Sequence, residues 1–162
     1  MNYLINKTFD EIKVGDKAIL IRNLRKKDIQ LFAILSGDVN PAHLDVEFAK
    51  TDFFHVIVAH GMWTAALISA LLGTKLPGPG TIYLSQQLQF HRPVLVGDKI
   101  TITVTVIKKY VRKPILTLGC VCQNQHHKTV VSGVAKVLAP TKKVKRKPIK
   151  LPIVILKKRK KG

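Results

Sequence analysis

At 162 residues the chain is long enough for one domain with a proper hydrophobic core, and its 46% hydrophobic but 6% aromatic content makes that core aliphatic. The net charge of +19 is uneven: all nine acidic residues lie at or before Asp98, and eleven basic residues follow from Lys142 onward. Without that tail, 17 basic residues face nine acidic ones, a moderate excess that suits a phosphate-bearing ligand as well as nucleic acid. Cys120 and Cys122 would share one face of a strand, badly placed to bridge each other, so a reduced cytoplasmic protein is expected. The opening residues lack the basic-then-apolar pattern of a signal peptide.

In chain order, residues 17–24 read as a strand after a Gly15-Asp16 turn. Asp28 is expected to cap a helix carrying Ile29, Phe32, Ala33 and Leu35, and Gly37 to stop it in the left-handed conformation. Pro41 keeps Asn40 out of helical geometry, which predicts a stiff, irregular loop over 38–43. Asp45 then caps a short turn through Glu47, Phe48 and Ala49. The longest apolar run, 56–72, is short for a bilayer, which needs ~20 apolar residues, and it contains His60, Thr64 and Ser69. It reads as a helix beginning near Ala59, ended by Gly73 and Pro77, apolar nearly all round and so surrounded by other elements.

Strands follow. Residues 81–90 form one, with Ser85-Gln86-Gln87 inside it. Residues 99–109 alternate Ile100, Ile102, Val104 and Val106 with Thr101, Thr103 and Thr105; Leu116, Leu118, Cys120 and Cys122 repeat that period, and 129–138 is Val-rich. Residues 109–114 and 124–128 suit hairpin connections. One buried helix with successive antiparallel strands is an α+β arrangement, in which a sheet curls around the helix. Residues 141–162 change composition abruptly and read as a basic linker or tail, leaving 1–140 as the domain.

The loop 38–43 brings together a carboxylate, an amide and an imidazole. The first accepts a proton, the second can orient a water, and the third titrates near neutrality, the set that acid–base chemistry needs. Asp, Asn and Pro are also ordinary turn residues. His60 suits either a second base or a packing residue whose ring bonds a backbone carbonyl. His55, His91, His126 and His127 show no catalytic spacing, and Asp38, His43, Asp45 and His60 lack the short regular spacing of zinc motifs, so no metal is expected. Leu76-Pro77-Gly78-Pro79-Gly80 lacks the lysine and helix of a phosphate loop and reads as a rigid turn.

The run Ser36-Gly37-Asp38-Val39-Asn40-Pro41-Ala42-His43-Leu44-Asp45 resembles the signature of the MaoC-like (R)-specific enoyl-CoA hydratases, proteins of the hot-dog fold. Ala59-His60-Gly61-Met62, Leu76-Pro77-Gly78-Pro79-Gly80-Thr81-Ile82-Tyr83-Leu84 and Phe90-His91-Arg92-Pro93-Val94-Leu95-Val96-Gly97-Asp98 follow in the family's order, over about residues 10–140. The resemblance implies an antiparallel sheet wrapped around a long central helix, and addition of water to a trans-2-enoyl-CoA to give the (R)-3-hydroxyacyl-CoA. It matches Asp38 and His43 to the catalytic pair and implies that Asn40 orients the water. Gly61 would offer a helix-start N–H to the thioester oxygen, and Ser69 would line the acyl pocket. No cofactor is expected.

The same resemblance implies sites near the interface of a homodimer or dimer of dimers, and strands such as 99–109 would leave an edge for pairing to cover. Some relatives carry a phosphate acyltransferase domain after the hydratase domain, which would make this chain the amino-terminal part of a bifunctional protein. Two departures, Ala42 for a larger aliphatic and His55-Val56 in a stretch where glycine is common, bear on acyl-chain preference. Acyl-CoA thioester hydrolysis on the same fold, and a non-catalytic protein binding polyanions through its tail, are the competing readings.

Overall fold

The computed structural model describes residues 3–157. The chain forms β1 (Leu4–Ile5), β2 (Lys17–Asn23), helix α1 (Lys26–Ser36), the short helices α2 (Pro41–Leu44) and α3 (Val46–Thr51), and the long helix α4 (Gly61–Thr74). Strands β3 (Ile82–Phe90), β4 (Lys99–Lys109), β5 (Ile115–Gln123), β6 (Thr129–Leu138) and β7 (Lys145–Arg146) complete it. A five-stranded antiparallel sheet runs in the order β2-β4-β5-β6-β3, and β1 pairs with β7 in a separate ribbon.

The expected alternation fixes the register of the sheet. Ile100, Ile102, Val104 and Val106 of β4 are wholly buried, beside Leu116, Leu118, Cys120 and Cys122 of β5. These side chains form one cluster with Trp63, Ile68, Leu71 and Leu72 of α4. Each such aliphatic contributes roughly 1.5–3 kcal/mol through removal of apolar surface from water. The sheet therefore curls over one side of α4, as the α+β reading anticipated.

The structure corrects that reading in several places. Arg25, not Asp28, is the N-cap of α1; Asp28 sits three residues on, where its carboxylate accepts the Arg25 backbone N–H at 2.9 Å. Gly37 does end α1 with φ of 75°. The stretch 38–43 is less irregular than expected, because Pro41 opens the helical turn α2 and Asn40 caps it by accepting the Ala42 N–H. Helix α4 starts at Gly61 rather than near Ala59 and passes through Gly73 before it stops. It is not enclosed all round either: Met62, Ala66, Ser69, Ala70 and Gly73 make a solvent-facing stripe. Strand β4 is not an edge, since β2 and β5 flank it; the sheet's edges are β2 and β3.

The basic tail begins as part of the domain. The buried Asn6 amide donates to the carbonyls of Pro79 and Lys142 at 3.1 and 2.9 Å and accepts the Val144 N–H at 2.9 Å. Lys143 reaches Glu11 at 2.7 Å and, with the Thr8 backbone N–H, holds that carboxyl down to about 2. Beyond β7, Lys27 donates to the Val154 carbonyl. The tail's last four basic residues, Lys158, Arg159, Lys160 and Lys161, lie outside the described residues.

Gly133 of β6 pairs with Leu88 of β3, and a Cβ there would sit 1.9 Å from the Gln87 carbonyl oxygen. Gly133→Ala is expected to displace β3 and to lower unfolding stability by at least ~2 kcal/mol, measured by urea denaturation.

Candidate active site

Two backbone constraints position the stretch before α4 and, through it, His43 of the loop 38–43. The sequence from Arg92 to Asp98 is a brace: Arg92 donates to the Thr129 carbonyl at 2.7 Å, and Asp98 accepts the Leu95 N–H and the Gln125 amide at 2.9 and 2.8 Å. Val94 and Leu95, held in this way, bond the stretch just before α4, through Ala59 N–H to the Val94 carbonyl at 2.8 Å and a Val58–Leu95 bridge. Val58 then presents its own carbonyl to the Nδ1 of His43 at 2.8 Å.

That contact settles the His43 tautomer. A carbonyl only accepts, so Nδ1 carries the hydrogen and Nε2 is left with a lone pair, ready to take a proton. The Asp38 carboxylate is fixed by its own loop. The Asn40 backbone N–H donates to an Asp38 carboxylate oxygen at 3.1 Å, and the Ser36 hydroxyl accepts the Asp38 N–H at 3.2 Å. A carboxylate oxygen of Asp38 and ring nitrogens of His43 and His60 all lie within 4.8 Å of one another. One water with two ~2.8 Å hydrogen bonds at a tetrahedral angle spans roughly 4.6 Å, a distance of the same size as that separation. Asp38 is exposed and His43 half-buried, which leaves the pair reachable from solvent.

Asn40 serves the loop first: its Oδ1 caps α2, the turn that carries His43, and its main chain steadies Asp38. Only its side-chain NH2 remains for a water. Gly61 is the first residue of α4, and among the described hydrogen bonds its N–H has no acceptor. Helix starts leave such donors free and carry a positive partial charge. Glycine also leaves room there, since a Cβ would come within 3.0 Å of the Phe90 ring, which would have to give by a few tenths of an ångström.

His43 and Gly61 both line a cavity of about 400 Å³, with Phe53, Phe54, Phe90 and Val131 among its apolar walls. Ser69 does not line it. That residue lies two turns further along α4, on the exposed stripe. Asp45 takes no part, since it caps α3 by accepting the N–H groups of Glu47 and Phe48.

Asp38, His43 and His60 have the spacing that a metal ion could span, although the ring planes are poorly turned for one ion to take both imidazoles. The His43 and His60 rings lie face to face, centroids 3.9 Å apart and tilted by 33°. Planes so nearly parallel meet far beyond the ~2.1 Å reach of a nitrogen–zinc bond. Thiol chemistry is disfavoured. Cys120 and Cys122 are free but buried, and burial pushes their thiols up to about 11 and about 12. Sequence reasoning missed Val58 and Val94 altogether, because both work through main-chain atoms that any residue would offer.

Comparison with known proteins places this geometry. The family model for the MaoC like domain matches residues 10–131. The chain is 45% identical over 139 residues to an (R)-specific enoyl-CoA hydratase of Rhodospirillum rubrum, covering 86% of this chain and 96% of that protein. It is 40% identical over 134 residues to a 3-hydroxybutyryl-CoA dehydratase of Methylorubrum extorquens, covering 83% and 85%. The structure of the R-hydratase PhaJ1 from Pseudomonas aeruginosa, unliganded, superimposes with a TM-score of 0.91 at 41% identity, covering 96% of this chain and 99% of that one. A sheet curled over a long helix, the Asp38 carboxylate brought beside the His43 ring and these matches lead to one conclusion: the chain belongs to the MaoC-like family of the hot-dog fold.

Proposed function

We propose that the protein is an (R)-specific enoyl-CoA hydratase, a hydro-lyase that adds water to a trans-2-enoyl-CoA, with Asp38 and His43 as its acid–base pair. The observation that carries this reading is the separation of those two groups, within 4.8 Å, with His43 locked as the Nδ1–H tautomer by Val58. The bound water gives an O–H proton to His43 Nε2 while the Asp38 carboxylate accepts its second O–H. The water oxygen bonds the β-carbon, and the electron pair moves through the α-carbon to the thioester oxygen. There it meets the Gly61 N–H at the positive end of α4. The imidazolium then returns the proton to the α-carbon, so the enzyme ends as it began. The NH2 of Asn40 orients the water.

The remaining assignments are ours in the same sense. A homodimer covers the free edge of β3, which exposes Ile82, Leu84 and Phe90, together with the bare stripe of α4. Ser69 then faces the acyl chain along that stripe. Residues 1–140 carry the hydratase machinery, the start of the basic segment 141–162 is clasped to them and the rest is its appendage; two free thiols support a cytoplasmic location. Among the described residues, no helix is long and apolar enough to cross a membrane.

Crotonyl-CoA tests the activity. Loss of the conjugated enoyl absorbance with formation of the (R)-3-hydroxy product is expected, and Asp38→Asn or His43→Ala each lowers kcat on the order of 100- to 10,000-fold. Release of free CoA thiol without a hydroxyacyl product would instead show a thioesterase. Sedimentation equilibrium is expected to give twice the 18.1 kDa chain mass; a monomer that turns over at full rate would remove the dimer.

A further inference from the structure

His60 makes three connections that no catalytic role requires of it. Its Nε2 lies 3.0 Å from the main-chain oxygen of Asp38. Its ring lies face to face with that of His43, and Phe32 flanks it at 5.0 Å between centroids. Its own carbonyl accepts the Trp63 N–H as α4 begins. The Asp38 oxygen can only accept, so Nε2 carries the hydrogen and Nδ1 keeps a lone pair. That Nδ1 is buried, with His60 only 2% exposed, and it has no partner among the described residues.

An imidazole is a poor choice for packing alone in such a place. Phenylalanine would fill the same slot between Phe32 and His43 without stranding a buried acceptor, an unfavourable arrangement in any fold. What phenylalanine lacks is the donor to Asp38. We infer that His60 is a positioning residue for hydration: it ties the main chain of Asp38 to the ring of His43 and so sets the spacing across which the water is held. The inference rests on the assignment of Asp38 and His43 as the acid–base pair. His60 itself transfers no proton; its N–H is spent on a carbonyl and its other nitrogen is buried.

The test separates donor, stack and fold. His60→Phe keeps an aromatic ring in the slot, removes the donor and relieves the stranded nitrogen. Its Tm is expected to stay level or rise while kcat falls about 10- to 100-fold, the effect of a misplacement of order 1 Å, with KM for crotonyl-CoA changed far less. His60→Gln carries an amide N–H near the Nε2 position and is expected to recover within about tenfold of wild type. His60→Asn, whose amide falls short of the Asp38 carbonyl, stays slow. In ¹⁵N spectra, the imidazole signals of His43 move in His60→Phe and return toward wild type in His60→Gln.

Wild-type kcat in His60→Phe overturns the inference, as does a His60→Gln enzyme no faster than His60→Asn. If Asp38→Asn and His43→Ala are inactive while every His60 variant is fast, the positioning role alone fails. If wild type hydrates nothing, the hydratase reading fails, and unchanged His43 signals in His60→Phe then remove the positioning role independently. Should His60→Phe not fold, the Gln and Asn pair decides.

Discussion

The site hangs on one main-chain oxygen. The Val58 carbonyl holds the His43 ring at 2.8 Å and dictates which nitrogen keeps a lone pair. Val58 is itself fixed by its bridge to Leu95, and Ala59 by the Val94 carbonyl. Behind Val94 and Leu95 stands Asp98, a buried carboxylate whose two oxygens accept from Leu95 and Gln125. The chemistry of a surface loop is thus referred, through four residues of backbone, to the rigid start of a central strand. That frame aims the imidazole, while the exposed Asp38 carboxylate is held by its own loop through the Asn40 N–H.

Much of this was legible in the residues. Strict alternation over β4 announced a half-buried strand, and Gly37 marked the end of α1, because both signals live in side chains and their steric needs. The loop 38–43 announced its chemistry through the types of group it carries. Asp28 was legible only as a residue fond of helix starts, and which N–H it would serve depended on a register that one turn of chain can change; the capping role of Asn40 was not legible, because Pro41 suits an irregular loop as readily as the first residue of α2. The strand order was not legible at all. Nothing in the composition of β4 says that β2, seventy-five or more residues earlier, returns to cover its edge, or that β3 pairs with β6, and those two pairings are what make β2 and β3 the open edges.

His60 shows the other limit. Its neighbour Gly61 and the motif around it pointed to the start of α4, and a carbonyl partner for its ring was anticipated. Which carbonyl was not, since Asp38 lies twenty-two positions away. Only the fold turns two separate motifs into one set of contacts. The small stripe on α4 is of the same kind: the residues look like core in the sequence, and the sheet simply does not extend far enough around the helix to cover them.

The clasp around Asn6 has a consequence for how the molecule is made. One buried amide joins the third residue after Tyr3 to the turn at Pro79 and to Lys142 and Val144, near the opposite end of the chain. During synthesis, strands β2 and β4 through β6 can meet and collapse on α4 before the last of these partners has been added. This corner cannot close until residues 142–144, a few positions past β6, have followed. Its two sides stand 138 positions apart at Asn6 and Val144, so the loop it closes is among the costly ones in chain entropy.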